Sequence, residues 1–185
     1  ICAGAVACSQ EHIKKIWNVA KNLGGSLSDF MVWMLERSIK TLVVRVKEQN
    51  RNAKKLARYL DQHQDVSRVY YPGLKSHPDY KIAKKQMRGF GGMLSFELKD
   101  ELDSLKFLKS LELIKPSMSL AGVESSMLLP SETSHALLSQ QERDAVGISN
   151  NLIRFSVGIE DKKDLIKDIE QAIAHVKASA VDFRL

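Results

Sequence analysis

The sequence predicts an α/β fold, and two observations carry that prediction. From residue 66 onward, short stretches that alternate apolar and polar residues trade places with stretches whose apolar residues recur every three or four positions, the signatures of strand and helix. Turn formers such as Pro72-Gly73 and Gly89-Phe90-Gly91-Gly92 stand where the period changes. A chain of 185 residues suits one domain of ordinary size, or one domain and a piece of another.

The elements follow in order. Residues 1–8 are apolar and short, as in a buried strand. Residues 10–23 place Ile13, Ile16, Trp17 and Ala20 on one helical face, and Gly24-Gly25 ends that helix. Ser26 to Ser28 can cap a second helix, expected to run unbroken from about Asp29 to about His63 and long enough to join two domains. Val66 to Tyr71 reads as a strand, Asp79 to Arg88 as a short basic helix, and Met93 to Leu98 as a strand with Leu94, Phe96 and Leu98 on one face. Residues 101–111 read as a helix with Leu102, Leu105, Phe107 and Leu108 apolar, and residues 113–135 as irregular chain with short strands. Gln140 to Val146 is a short helix and Leu152 to Val157 a strand. Asp161 can cap a last helix whose stripe is Leu165, Ile166, Ile169, Ala172, Ile173 and Val176, with fraying expected from Ser179.

Composition excludes several classes. Hydrophobic residues at 44% and charged residues at 27% are ordinary for a globular protein, and no apolar run reaches the length of a bilayer span. The opening segment has no basic region and no initiator Met, so it reads as a strand internal to a longer protein and not as a signal peptide. Cys2 and Cys8 are too few for a disulfide scaffold and no His lies at metal-ligand spacing from them. They are expected to be buried free thiols in a reducing compartment, cytoplasm or an organelle matrix. The net charge of +6 raises the question of a nucleic-acid partner. The basic residues of 47–58 and 81–88 are mixed with acids or spread along helices, and the few aromatics are not interleaved with them. Solvated helix faces are the expectation, with no nucleic-acid and no membrane partner.

Arg154 is the most telling residue. It stands inside the apolar run Leu152-Ile153-Arg154-Phe155-Ser156-Val157, where alternation sets Leu152, Arg154 and Ser156 on one face. A guanidinium so placed needs a partner. Its planar fork suits a carboxylate, either an internal Asp or Glu or that of a ligand. Ser117 to Ser125 offers small residues, hydroxyls and amides that can approach an anion, or a plain loop. Gly89 to Gly92 precedes a strand instead of opening a helix, so it reads as a tight turn and not a phosphate loop. His12, His63, His77, His135 and His175 form no ligand pair and no nucleophile triad, so no metal site is expected.

Five blocks in one register resemble a known family. They are Leu27-Ser28 through Leu35-Glu36-Arg37-Ser38 to Arg45; Val69-Tyr70-Tyr71-Pro72-Gly73-Leu74 with His77-Pro78; and Gln86 through Gly89-Phe90-Gly91-Gly92 to Glu97. The fourth is Ser119-Leu120-Ala121-Gly122-Val123-Glu124-Ser125, with Ala121 replacing a glycine, and the fifth is Gly147-Ile148-Ser149 through Leu152 to Asp161. Together, over residues 1–176, they resemble the C-terminal half of the Cys/Met-metabolism pyridoxal-phosphate enzymes: cystathionine γ-synthases, cystathionine β-lyases, cystathionine γ-lyases and methionine γ-lyases.

The resemblance implies a fold-type-I pyridoxal-phosphate-dependent transferase. Residues 1–45 would be the tail of the large cofactor-binding domain, 46–65 a connecting long helix, and 66–185 the C-terminal small α/β domain. It implies pyridoxal 5'-phosphate as cofactor, a sulfur amino acid as substrate, β- or γ-elimination or γ-replacement as chemistry, and a cytoplasmic homotetramer. It implies that Arg154 clamps the substrate carboxylate with Ser119 and the Leu120 backbone, and that Met118 falls where members differ and select the side chain. No catalytic residue is expected in this chain, because the lysine that binds the cofactor would lie upstream of Ile1, leaving the isolated chain inactive. The alternative is a catalytically silent binding or oligomerisation module of the same fold.

Overall fold

A computed structural model describes residues 3–181, and the chain falls into two units, Ile1–Val44 and Arg45–Leu185. The first unit holds helices α1 (Gln10–Leu23) and α2 (Asp29–Ile39). Gly24 ends α1 at φ 70°, and its N–H returns to the Ala20 carbonyl, a left-handed cap that glycine adopts without a Cβ penalty. Neither helix has a buried residue, and Trp17, Leu23, Phe30 and Trp33 are exposed.

Two expectations fail here. Residues 3–8 form no strand and are exposed, Cys8 among them. A strand needs neighbours for its backbone groups, and every described strand pairs elsewhere. Ile1 and Cys2 lie outside the described residues. The helix expected from 29 to 63 is interrupted at Lys40-Thr41, where α3 (Leu42–Asp61) starts anew. Ser38 Oγ donates to the Met34 carbonyl at 2.8 Å and Thr41 Oγ1 to the Ser38 carbonyl at 3.4 Å. Such hydroxyls compete with the backbone ladder and bend or end helices.

The second unit is built on a five-stranded sheet of β1 (Val66–Tyr70), β2 (Met93–Leu98), β3 (Lys115–Pro116), β4 (Ser126–Leu128) and β5 (Leu152–Ser156). Its order is β1-β2-β5-β4-β3, antiparallel except for the β3–β4 pair. The expected alternation holds in β2, where Leu94, Phe96 and Leu98 are buried, and in β5, where Ile153 and Phe155 join the core. That core is closed by Ala53, Leu56, Ala57 and Leu60 of α3 and by Leu165, Ile169, Ala172, Ile173 and Val176 of α7 (Lys162–Val181). Tyr71 lies fully inside, its hydroxyl donating to the Gly91 carbonyl at 3.1 Å, and burial pushes its pKa up to about 12.

The remaining helices are α4 (Tyr80–Gln86), α5 (Ser104–Ser110) and α6 (Gln140–Ala145). The one expected over 101–111 is trimmed because Asp103 caps it, accepting the N–H groups of Leu105 and Lys106 at 2.9 Å. Of the four apolar residues of that stretch, Leu102, Phe107 and Leu108 are buried and Leu105 is 42% exposed. α6 opens with a reciprocal Ser139–Glu142 capping box, and the Ser139 bonds hold the Glu142 pKa down. Asp161 accepts the Lys163 N–H at 2.7 Å ahead of α7. That helix continues past the fraying expected at Ser179 to Val181, and residues 182–185 lie outside the description. No helix among the described residues is long and apolar enough to cross a membrane.

Candidate functional site

Arg154 occupies the middle of β5, opposite Ser95 of β2 and Leu128 of β4. Its neighbours in sequence, Ile153 and Phe155, anchor the strand in the core, so the arginine is fixed at its root; the residue as a whole is half-buried, with its guanidinium bonds on the exposed side. The internal-acid alternative is not what the fold provides: among the described residues Arg154 makes no ion pair. Its Nη2 donates instead to the carbonyls of Met118, at 3.1 Å, and Ser119, at 3.5 Å. Guanidinium has five N–H donors, and two neutral carbonyls on one nitrogen leave the charge uncompensated.

The structure therefore brings Arg154 to the segment that carries Met118, Ser119 and Leu120. All three are exposed. The Ser119 N–H is bonded to Ser117 Oγ at 3.2 Å, while neither the Ser119 hydroxyl nor the Leu120 N–H has a protein partner among the described residues. A cation with spare donors, a free hydroxyl and a free amide on adjacent residues suit an anion with two or three acceptor positions. Met118 also lines an apolar cavity of about 370 Å³, with Leu105, Leu108, Met127, Leu129 and Thr133 among its other walls.

Ala121 is left-handed at φ 59°, where an L-residue with a Cβ is strained by roughly 1–2 kcal/mol. Its N–H is held by Ser156 Oγ at 3.0 Å. Replacing Ala121 with Gly is expected to stabilise the fold by about 0.5–1 kcal/mol, the relieved strain being partly offset by the extra freedom of the unfolded chain. A rise in the thermal midpoint checks this.

Beyond Ala121 the loop is tied down at each step. Gln49 Nε2 donates to the Gly122 carbonyl at 2.7 Å, and the Ile159 N–H to the Val123 carbonyl at 2.9 Å. Ser125 Oγ donates to Glu160 Oε2 and accepts the Gly158 N–H, both at 2.9 Å. Asn52 Nδ2 then holds the Glu160 carbonyl at 2.8 Å. Gln49 and Asn52 were not singled out from the sequence. Their signal was available: they are polar residues on the α3 stripe that continues as Ala53, Leu56 and Leu60, and both are buried.

For a cofactor the residues present fit one side of a site. Every lysine among the described residues is exposed except Lys162, half-buried at the start of α7. Arg154 and its loop suit a ligand carboxylate and not an aldehyde. Among the described residues no three His, Cys, Asp or Glu side chains converge in a way that could hold a metal. His63 and His77 serve the backbone, each Nδ1 accepting an N–H at 3.1 Å.

The chain belongs to the Cys/Met metabolism PLP-dependent enzymes, whose family model matches residues 1–174. It is 42% identical over 174 residues to the cystathionine β-lyase of Lactococcus lactis subsp. cremoris MG1363, covering 94% of this chain and 46% of that one. It is 41% identical over 174 residues to the chloroplastic cystathionine γ-synthase 1 of Arabidopsis thaliana, covering 94% of this chain and 31% of that one. Among solved structures, cystathionine γ-lyase from Lactobacillus plantarum, complexed with L-serine, matches with a TM-score of 0.88 and 36% identity over 93% of this chain and 45% of that one. The chain thus spans less than half the length of these relatives. The fold is that of the pyridoxal-phosphate-dependent cystathionine lyases and synthases, as the sequence motifs implied, and the family's cofactor is pyridoxal phosphate.

Proposed function

We propose that this chain is the C-terminal part of a trans-sulfuration enzyme that performs β- or γ-elimination or γ-replacement on a sulfur amino acid such as cystathionine, and that it supplies the carboxylate-binding side of the active site. The observation that carries this reading is Arg154: an arginine rooted in the core strand whose guanidinium has no acidic partner among the described residues and lies beside an unbonded amide and hydroxyl. Arg154 would take the substrate carboxylate, with the Leu120 N–H and Ser119 Oγ completing its hydrogen bonds. Gripping the carboxylate orients the α-carbon. Met118 would meet the substrate side chain, and its apolar thioether would disfavour a charged group there.

Pyridoxal phosphate, when bound, supplies an electron sink for the α-carbon. We assign the lysine that holds it to the part of the enzyme preceding these residues, which leaves this chain inactive by itself. In that enzyme residues 1–45 would close the large domain, 46–65 would connect, and 66–185 would form the small domain of a cytoplasmic homotetramer. The exposed Trp17, Leu23, Phe30 and Trp33 favour a second reading, in which the same fold serves assembly without catalysis.

The test is Arg154→Ala in the complete protein. KM is expected to rise about 100-fold, the loss of charge-assisted hydrogen bonds of roughly 1.5–3 kcal/mol, while the cofactor absorbance stays in place. An unchanged KM would remove the carboxylate assignment.

A further inference from the structure

The register of β4 against β5 sets Ser126 directly opposite Ser156. Opposed residues on antiparallel strands project from the same face, and Arg154 stands two positions along β5 on that face. Both serines are buried, where a hydroxyl is costly unless bonded. Their bonds run to one loop in opposite senses. Ser126 Oγ donates to the Ser119 carbonyl at 3.0 Å, and Ser156 Oγ accepts the Ala121 N–H at 3.0 Å. The two tethered groups flank Leu120 on either side.

The Ser119 carbonyl and the Leu120 N–H belong to the same peptide plane. In a trans peptide they point in opposite directions, and this chain has no cis bond among its described residues. Tethering that carbonyl to Ser126 therefore fixes the direction in which the Leu120 N–H aims. Tethering the Ala121 N–H to Ser156 prevents the next plane from turning and holds Ala121 in its left-handed conformation. The Ser119 carbonyl is also one of the two acceptors that seat Arg154 Nη2.

We propose that Ser126 and Ser156 are a pair of positioning residues. They set the peptide planes around Leu120, and through them the aim of the amide and the seat of the Arg154 guanidinium. Neither serine touches the ligand. The proposal rests on the reading of Leu120 and Arg154 as carboxylate donors, and the experiment separates the two.

Acetate is titrated into the 185-residue chain, followed by the Leu120 amide and Arg154 guanidinium resonances, and amide exchange is read at Leu120 and Ala121. The informative variants are isosteric pairs, Ser126→Thr against Ser126→Val and Ser156→Thr against Ser156→Val, which differ only in hydroxyl against methyl. The Thr variants should behave as wild type. Ser126→Val should weaken acetate binding and move the Leu120 amide resonance, and Ser156→Val should speed Ala121 exchange, each effect about tenfold for binding or exchange, as expected for one hydrogen bond. Ser→Ala at each position, which adds no volume, gives the same comparison against wild type if the larger side chains misfit. Thr, Val and Ala variants that all leave acetate binding, the Leu120 resonance and Ala121 exchange at wild-type values overturn the proposal. A wild-type chain that shows no acetate response sinks the carboxylate reading instead, and the Leu120 resonance and Ala121 exchange then decide the serines alone.

Discussion

Gly158→Ala is expected to cost about 4 kcal/mol, combining overpacking against backbone with broken hydrogen bonds of roughly 1 kcal/mol each. A Cβ on Gly158 would collide with the Val123 carbonyl and lie 2.7 Å from the Glu124 carbonyl carbon. The Glu160 carboxylate also lies in the way and could swing aside, but these two obstacles are backbone, so one stretch of main chain must retreat from the other. The Ile159–Val123 and Gly158–Ser125 hydrogen bonds span this gap, and Glu160 closes it through Ser125. All three lengthen together. Against a typical domain stability of about 5–15 kcal/mol the loss is a large fraction, read as a fall in the urea midpoint. The control is Gly25→Ala, where an added Cβ meets nothing within 4 Å; it should stay within about 0.5 kcal/mol of wild type, as surface substitutions do. An equal effect of the two substitutions would show that the close approach at Gly158 is not what constrains the residue.

Asp168→Ala is expected to cost about 3–4 kcal/mol, because it strands buried donors as well as deleting an acceptor. Asp168 is 5% exposed on α7. Its carboxylate accepts the N–H groups of Glu112 at 2.8 Å, Leu113 at 3.1 Å and Ile114 at 2.8 Å. Gln171 Nε2 adds a fourth bond at 3.0 Å and also reaches the Ser110 carbonyl. The turn after α5 thus has no ladder of its own and borrows one from a side chain on another helix. Asp168→Asn keeps one acceptor oxygen and should cost about half as much. Amide exchange at Leu113 and Ile114 should accelerate in both variants. Protection unchanged in Asp168→Ala would mean that the turn is held by other contacts.

Much of this was legible in the sequence, and the reasons are specific. Gly24-Gly25 is a helix stop no tertiary contact overrides, so α1 ends where expected. β2 announces itself because Leu94, Phe96 and Leu98 alternate with residues of the other face. Arg154 stood out because an arginine between Ile153 and Phe155 has no local account. The structure removes the internal-acid answer for it. The misses share a cause as well. The break after Ile39 is made by Ser38 and Thr41 hydroxyls folding back on the helix, and neither residue type is a stop signal. Cys8 looked buried because apolar runs usually are, yet exposure depends on what lies alongside. Ser126, Ser156 and Asp168 act through bonds to residues 7, 35 and 54–56 positions away, and no local pattern encodes such distances.

In the stretch from Arg154 to Asp161, nearly every distinctive residue has an architectural duty. Ser156 holds a loop, Gly158 makes room for it, Glu160 ties it to Ser125 and α3, and Asp161 starts α7. The head of Arg154 is the exception, since the fold asks little of it. A gene copy released from selection for catalysis could therefore lose that guanidinium and keep everything else. Its product would fold, would still be recognised by sequence as a relative, and, on the reading proposed for Arg154, would hold a substrate carboxylate about 100-fold less well. On the reading proposed for Arg154, that one codon separates such relics from members that still grip a carboxylate, while the motif around it reports only on the fold.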